Sequence, residues 1–597
     1  MLGVLAFGAV GATLRDPGLT WDESIYFGFS LNYCLFASEL GRADWYDSSE
    51  ITEEIRKAYA DVPRPWGAFS RPVVHRFWRA GQAHPPLAPL CYAVGLGAFH
   101  RLLGPITAFR LPASLIFTGL VLATYFFFSW APPSEGAKTN ARISSGAIAA
   151  ASLVLMPRCF GHGHFAALDV PTTLMWLLTV MAFRKGMFSR PWAVATGVIF
   201  GLALLTKINA AFLPLILWPW GLMAYRRKSL PAILGMLILG PGLFVLGWPW
   251  LWHHTFANIW VYLADKASRL HIPVYYLGVT YDKYPPPWHY PFILTTVTVP
   301  LGLLVAALLG LWQTARKWRA DPTCSLVLIN LIVIYGVAAF PWVPKYDGAR
   351  LFLPAFPFVA GLAAMGIVWV MFLPIGRQSR QALMPAMPAC RSAKTPWKQL
   401  CARWNVFADR PAEPAGLNAG HAGLPIGKNT PEKQLARRLG SAVFALVLVW
   451  DVASYHPYEL SYYNGLVGGL RGAHWLGFET EYWGDVFDAK AMDAVNRLCV
   501  KDAAVCVEPL DIRVPRLLQR VGELREDLKF VTESEPCDYL VLLAREGYFS
   551  ERDWALYKSG QPLWKSSLRG VPLCMIFQVS GDAQGGGASF SGAPVVK

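Results

Sequence analysis

Gly18-Leu-Thr-Trp-Asp-Glu-Ser-Ile-Tyr26 follows the apolar opening run 1–14 and sets two carboxylates, Asp22 and Glu23, side by side at its mouth. What those acids mean depends on whether the run before them meets a membrane, and the composition says that it does. Of 597 residues, 54% are hydrophobic and 16% charged, and the mean hydropathy is +0.34, far from an ordinary soluble chain. About 20 apolar residues in a helix cross a hydrocarbon core of about 30 Å, and the windows 290–312 and 351–373 have that length.

Eleven apolar runs recur between 1–14 and 438–455, which predicts a polytopic α-helical membrane protein with about 11 transmembrane helices. The run 1–14 is expected to be a retained first helix, a cleaved signal peptide being the alternative. The net charge of +15 falls in short clusters between apolar runs. Arg184/Lys185/Arg190, Arg226/Arg227/Lys228 and Arg316/Lys317/Arg319 are all cytoplasmic if the chain starts inside and crosses eleven times. That pattern accounts for the basic balance without nucleic acid. It makes the run 85–103, interrupted by Pro89 and glycines, an interfacial or re-entrant segment.

The resulting organisation is a transmembrane module over 1–374 whose outer loop 15–106 carries the acid pair, and a cytoplasmic linker over 375–437 expected to be disordered. A last helix over 438–455, a small extracytoplasmic α/β domain over 456–580 and a disordered tail over 581–597 complete it. Strands are expected at 504–507, 539–543 and 573–579. Cys499, Cys506, Cys537 and Cys574 lie in that outer part, where one or two disulfides are compatible with an oxidising compartment.

The polar chemistry therefore gathers on the outer face. The loop 156–171 holds Arg158, His162, His164 and Asp169. Asp169 also suits the N-cap of the helix that follows. Lys207 sits at a turn between two apolar runs, either snorkelling to the interface or repaid by an anionic partner. Lys345 and Arg350 stand on the outer face against the positive-inside trend, and cations so placed suit a phosphate. The segment 253–289 adds His271, Tyr276 and Asp282, and the run after the last helix adds Glu479 and Trp483. An acid there can serve as general base toward a hydroxyl, and cations can stabilise a departing phosphate.

Thr20-Trp-Asp-Glu-Ser-Ile-Tyr26, His84-Pro-Pro-Leu87, the 160–171 loop ending Leu-Asp-Val-Pro, Leu204-Leu-Thr-Lys207 and the 345–354 run ending Arg-Leu-Phe-Leu-Pro, in this order, resemble the GT-C glycosyltransferases. Within these the chain is similar to glycosyltransferase family 39, the protein O-mannosyltransferases and lipid A aminoarabinose transferases. The resemblance covers most of 15–360. It implies the GT-C fold with juxtamembrane helices, and transfer of a sugar from a polyprenyl-phosphate donor to a lipid, glycan or protein acceptor, with inversion. By position it makes Asp22 the general base, Glu23 its orienting neighbour and Asp169 the second-loop acid. His84, Lys207, Lys345 and Arg350 become the donor-phosphate group. Arg158, His162, His164, His271, Tyr276, Asp282, Glu479 and Trp483 are candidates for the substrate cavity. Some GT-C enzymes use a divalent metal ion, for which Asp22 and Asp169 would be the ligands. The absence of a β-trefoil pattern points to a bacterial inner membrane with a periplasmic site. A transporter or flippase of an anionic amphiphile, and a non-enzymatic envelope assembly protein, are the rival classes.

Overall fold

The computed structural model describes residues 1–39, 74, 77–78, 84–130, 139–267, 272–372 and 431–579. His271, most of the 375–437 linker and the 581–597 tail lie outside them. The chain forms two compact units, one made of 1–368 with 446–597 and the other of 369–445.

Helices occupy all eleven apolar runs. Among the described residues, four stretches are long and apolar enough to cross a membrane by length and composition: Pro105–Ser129, Ile208–Leu246, Pro322–Ala339 and Arg350–Met371, which marks an integral membrane protein. The second doubles back at Arg226, whose φ of 53° opens the basic turn Arg226–Ser229 between the helices Leu213–Tyr225 and Leu230–Leu246. The 85–103 run is a helix, Leu87–Leu103. It packs beside Trp21–Glu39, where the Ser30 hydroxyl donates to the Pro89 carbonyl at 2.9 Å, and Gly95 meets Pro112 of Pro105–Ser129.

Two boundaries differ from expectation. The run 290–312 is two helices, Tyr290–Thr298 and Leu301–Lys317, because Pro300 has no N–H for the ladder and drives Val299 into an extended conformation (φ −85°, ψ 133°). The last helix starts at Pro431, inside the expected linker. Its first turns carry Glu432, Lys433 and Gln434, good helix formers that an apolarity criterion passes over.

Val274–Tyr276 (β1) and Val279–Tyr281 (β2) pair as a hairpin. From 504 the strands Ala504–Glu508 (β3), Lys529–Val531 (β4), Tyr539–Leu543 (β5), Trp564–Leu568 (β6) and Val571–Gln578 (β7) form a sheet in the order β4-β3-β5-β7-β6. β3 runs parallel to β4 and β5, while β7 is antiparallel to β5 and β6. β5, a continuous apolar run buried along its whole length, fits the centre of such a sheet. Cys499, Cys506, Cys537 and Cys574 are free thiols.

This region shares one compact unit with the helical body, and the joints explain why. The Asn464 side-chain amide donates to the Thr296 and Val299 carbonyls at 2.7 Å each, and its backbone N–H donates to Val297 O at 2.8 Å. It thereby satisfies carbonyls that the break at Pro300 leaves without helical donors. Arg158, buried in the short helix Pro157–His162, donates from Nε to the Tyr462 carbonyl at 3.2 Å.

Candidate active site

The opening stretch is held from three sides. Trp21–Glu39 begins at Trp21, so both acids lie in a helical first turn, where the macrodipole favours negative charge. Thr20 and Glu23 have the spacing of a capping box, and the Thr20 N–H donates to Glu23 Oε2 at 3.0 Å. Arg110, wholly buried in Pro105–Ser129, donates to both Glu23 oxygens at 2.8 and 2.6 Å. It also donates to the carbonyls of Leu14, Pro17 and Gly18. The Ala166 N–H adds a further bond to Glu23. Gly18 lies so close to the 485–487 backbone that a Cβ would run into the Phe487 carbonyl. Glu23 thus fastens the loop and is closed to substrate. Asp22, one residue earlier, is the open acid, its side chain 22% exposed.

Asp22 ends a line of alternating charges. Its Oδ2 accepts from Arg350 at 2.6 Å, Arg350 pairs with Asp347 at 3.1 Å, and Asp347 accepts from Arg545 at 2.5 Å. Asp347 (φ 54°) and Gly348 (φ 62°) are both left-handed. A Cβ at Gly348 would meet Tyr482 at 2.7 Å and Arg158 at 2.9 Å, so this turn requires glycine. It carries Asp347 and Arg350 to the same spot. Burial pushes the Asp347 carboxyl above its usual range, against the pull of Arg350 and Arg545. Arg350 also feels Asp169 and lies over the ring of Trp483, 4.7 Å from its centroid. Asp22 Oδ1 has no hydrogen-bond partner among the described residues.

Asp169 opens the helix Asp169–Gly186, but its side chain caps nothing: the N-cap position is Leu168, with no side-chain bond. The carboxylate turns instead to Lys207, 3.0 Å away. Lys207 lines a cavity of about 310 Å³ together with the polar groups of His84, Lys266 and Lys345 and the apolar side chains of Val333, Ile334, Val337 and Ala338. Lys345 Nζ donates to the carbonyls of Phe340 and Val343 at 2.8 and 3.2 Å, which leaves one of its three donors. Arg350, expected with the phosphate group, does not line this cavity and instead organises the acids.

The other candidates divide. His162 is buried between Asp169, Arg350 and Trp483, and burial lowers it to about 4. His164 faces away, bonded to Thr13 Oγ1 at 2.8 Å. Arg158, Tyr276 and Glu479 surround a separate, nearly filled pocket, and burial pushes Glu479 far above the ordinary carboxyl range. Asp282 is exposed on the segment after the hairpin of β1 (Val274–Tyr276) and β2 (Val279–Tyr281) and joins none of these groups. A divalent ion does not fit the two acids as they stand, because Asp22 already holds Arg350 and Asp169 holds Lys207. Among the described residues, no three His, Cys, Asp or Glu side chains converge as ligands.

Three members of the site escaped sequence reasoning. A lone Arg110 inside an apolar run was a signal in itself, given the cost of a charge there. Asp347, followed by Gly348, carried the signature of a left-handed turn. Arg545 had no local signal.

His456 ties the segment after the last helix to the loop that follows the first. Hydrogen bonds to Glu459 (2.6 Å) and Asp16 (2.8 Å) raise its imidazole from 6.5 to about 9, Glu459 contributing most. A raised folded value means that the stabilisation is complete below 6.5 and disappears as pH climbs through about 9. The thermal midpoint of the wild type is therefore expected to fall across that window more than that of His456→Gln. Parallel pH profiles for the two proteins would contradict it.

No family model matches the chain, and no curated protein matches it. Among solved structures it is similar to ArnT from Cupriavidus metallidurans in the apo state, at 15% identity over 96% of each chain with a TM-score of 0.47. The same protein bound to undecaprenyl phosphate matches at 14% identity, over 96% of this chain and 97% of that one, with a TM-score of 0.44. The archaeal oligosaccharyltransferase AglB from Archaeoglobus fulgidus, in complex with an inhibitory peptide and a dolichol-phosphate, matches at 10% identity, over 91% and 69%, with a TM-score of 0.42.

Proposed function

We propose that the chain is a membrane glycosyltransferase that moves a sugar from a polyprenyl-phosphate donor to an acceptor hydroxyl, with inversion, on the periplasmic face of a bacterial inner membrane. One observation carries this reading. An acid with a free carboxylate oxygen, Asp22, pairs with Arg350, whose charge Asp169 also feels, and Asp169 is bonded to Lys207 of a cavity lined by cationic and apolar groups. The cavity suits an isoprenoid phosphate, with Lys345, Lys207 and His84 toward the phosphate and the 333–338 helix face toward the chain.

In the reaction, Asp22 Oδ1 takes the proton of the acceptor hydroxyl while that oxygen attacks the anomeric carbon. The bond from the anomeric carbon to the phosphate oxygen breaks, and the polyprenyl phosphate leaves with the added negative charge, which the lysines stabilise. Arg350 acts by positioning Asp22. A transporter would place its ionisable groups near span midpoints, whereas Asp22 and Asp169 sit in the first turns of their helices.

Transfer of radiolabelled sugar from polyprenyl-phosphate donors by the purified protein in proteoliposomes tests the reading, and no transfer from any donor would end it. Lys345→Ala is expected to weaken undecaprenyl phosphate binding about tenfold, the worth of one charge-assisted hydrogen bond, and to raise the apparent donor KM. Unchanged binding in both Lys345→Ala and Lys207→Ala would remove the cavity as the phosphate site.

A further inference from the structure

The line of charges that begins at Asp22 ends beneath two aromatic rings. The Arg545 guanidinium lies 5.3 Å from the Trp21 ring centroid and 4.5 Å from that of Tyr548. The rings stand 6.0 Å apart and tilt by 33°, and each is partly exposed. The backbone of each residue is anchored. The Trp21 backbone N–H donates to the Trp483 carbonyl at 2.8 Å, and the Tyr548 backbone N–H to that of Arg545 at 3.0 Å. Arg545 is itself buried and held by Asp347. Trp21 is the immediate neighbour of Asp22.

We propose that Trp21 and Tyr548 form a platform for the acceptor and that the acceptor presents a pyranose ring. A saccharide offers a face of C–H bonds and a rim of hydroxyls, and this place offers partly exposed aromatic rings joined to the Asp22 carboxylate through Arg545, Asp347 and Arg350. The rings are within contact distance of each other and Arg545 lies over both, yet each remains partly exposed, so each keeps surface for a ligand. The guanidinium behind them holds the faces in a fixed orientation, and ordering them on binding costs little entropy. A prenyl chain has the apolar cavity instead, and stacking here would leave Asp22 without a hydroxyl. Tyr548 belongs to the turn that follows β5, so the outer region helps select the acceptor. Arg545 is a positioning residue that couples the platform to Asp22 through Asp347 and Arg350.

The proposal rests on the transfer reading for the word acceptor, but its binding test stands apart from it. Saturation-transfer NMR on the full chain in nanodiscs, with a panel of methyl hexopyranosides, is expected to show saturable binding. Tyr548→Ala and Trp21→Leu each weaken it by at least about tenfold, while Tyr548→Phe stays within about twofold because the ring remains. Undecaprenyl phosphate binding and the thermal midpoint of each variant establish that it is folded, and Asp22→Asn leaves hexoside binding in place. Absence of binding by every hexoside, or binding indifferent to both ring substitutions, overturns the platform. A Ser/Thr-containing peptide that binds in their place, and loses affinity in Tyr548→Ala, overturns the saccharide assignment in favour of a protein acceptor. Ring-dependent hexoside binding without any Asp22-dependent transfer keeps the platform and removes the transfer reading.

Discussion

On the proposed function, Asp22→Asn is expected to lower sugar transfer by at least about a hundredfold, the lower end of general-base effects, and to leave undecaprenyl phosphate affinity within about twofold because no part of the lysine-lined cavity changes. The substitution is diagnostic because of how Asp22 is held. Arg350 donates to Oδ2 alone, and an asparagine oxygen can accept the same bond, so the side chain keeps its place. What changes is the other terminus, where a proton acceptor gives way to an NH₂ group that can only donate. The expected signature is a fall in kcat and in kcat/KM for the acceptor by similar factors, the mark of an interaction made in the transition state. Single-turnover transfer from a radiolabelled polyprenyl-phosphate sugar measures it. Turnover near that of the wild type would show that another group takes the proton.

The helical architecture and the acid pair were legible for the same reason: in an apolar chain each charge is costly and therefore informative. Asp22, Asp169 and Lys207 stood out against their surroundings, and the structure brings them to one region around Arg350. What the sequence did not disclose is who pairs with whom. Asp347 and Arg545 are 198 positions apart, and no local pattern links a turn after the 322–339 helix to a residue following β5. Arg350 looked like a phosphate ligand because a cation on the outer face has no evident partner in one dimension. In three dimensions its charge is already met by Asp22 and Asp347. Glu23 shows the converse, since adjacency to Asp22 suggested a shared task, while helical geometry turns the two side chains to different partners.

Arg110→Met is the substitution expected to cost the most in stability, about 3–5 kcal/mol, because it leaves the Glu23 carboxylate buried without its counter-charge. Against a total of about 5–15 kcal/mol for a typical domain, that is a large part of what holds the fold. Both partners are almost wholly inaccessible, at 1% and 0%. Arg110 also serves the carbonyls of Leu14, Pro17 and Gly18, so its loss frees the segment leading into Asp22 and should reduce transfer as well. The double variant Arg110→Met with Glu23→Met removes both charges and recovers the part of the loss that comes from the orphaned carboxylate. It does not recover the part belonging to the three carbonyls, and the double variant therefore stays below the wild type. The exposed pair Arg15–Glu523, with side chains 59% and 32% accessible, supplies the contrast: Arg15→Met should change stability by less than about 1 kcal/mol. Equilibrium unfolding of the detergent-solubilised chain measures all four proteins on one scale. An Arg110→Met protein as stable as the wild type would mean that water reaches Glu23, and that the clamp on the Asp22 loop is looser than its five bonds indicate.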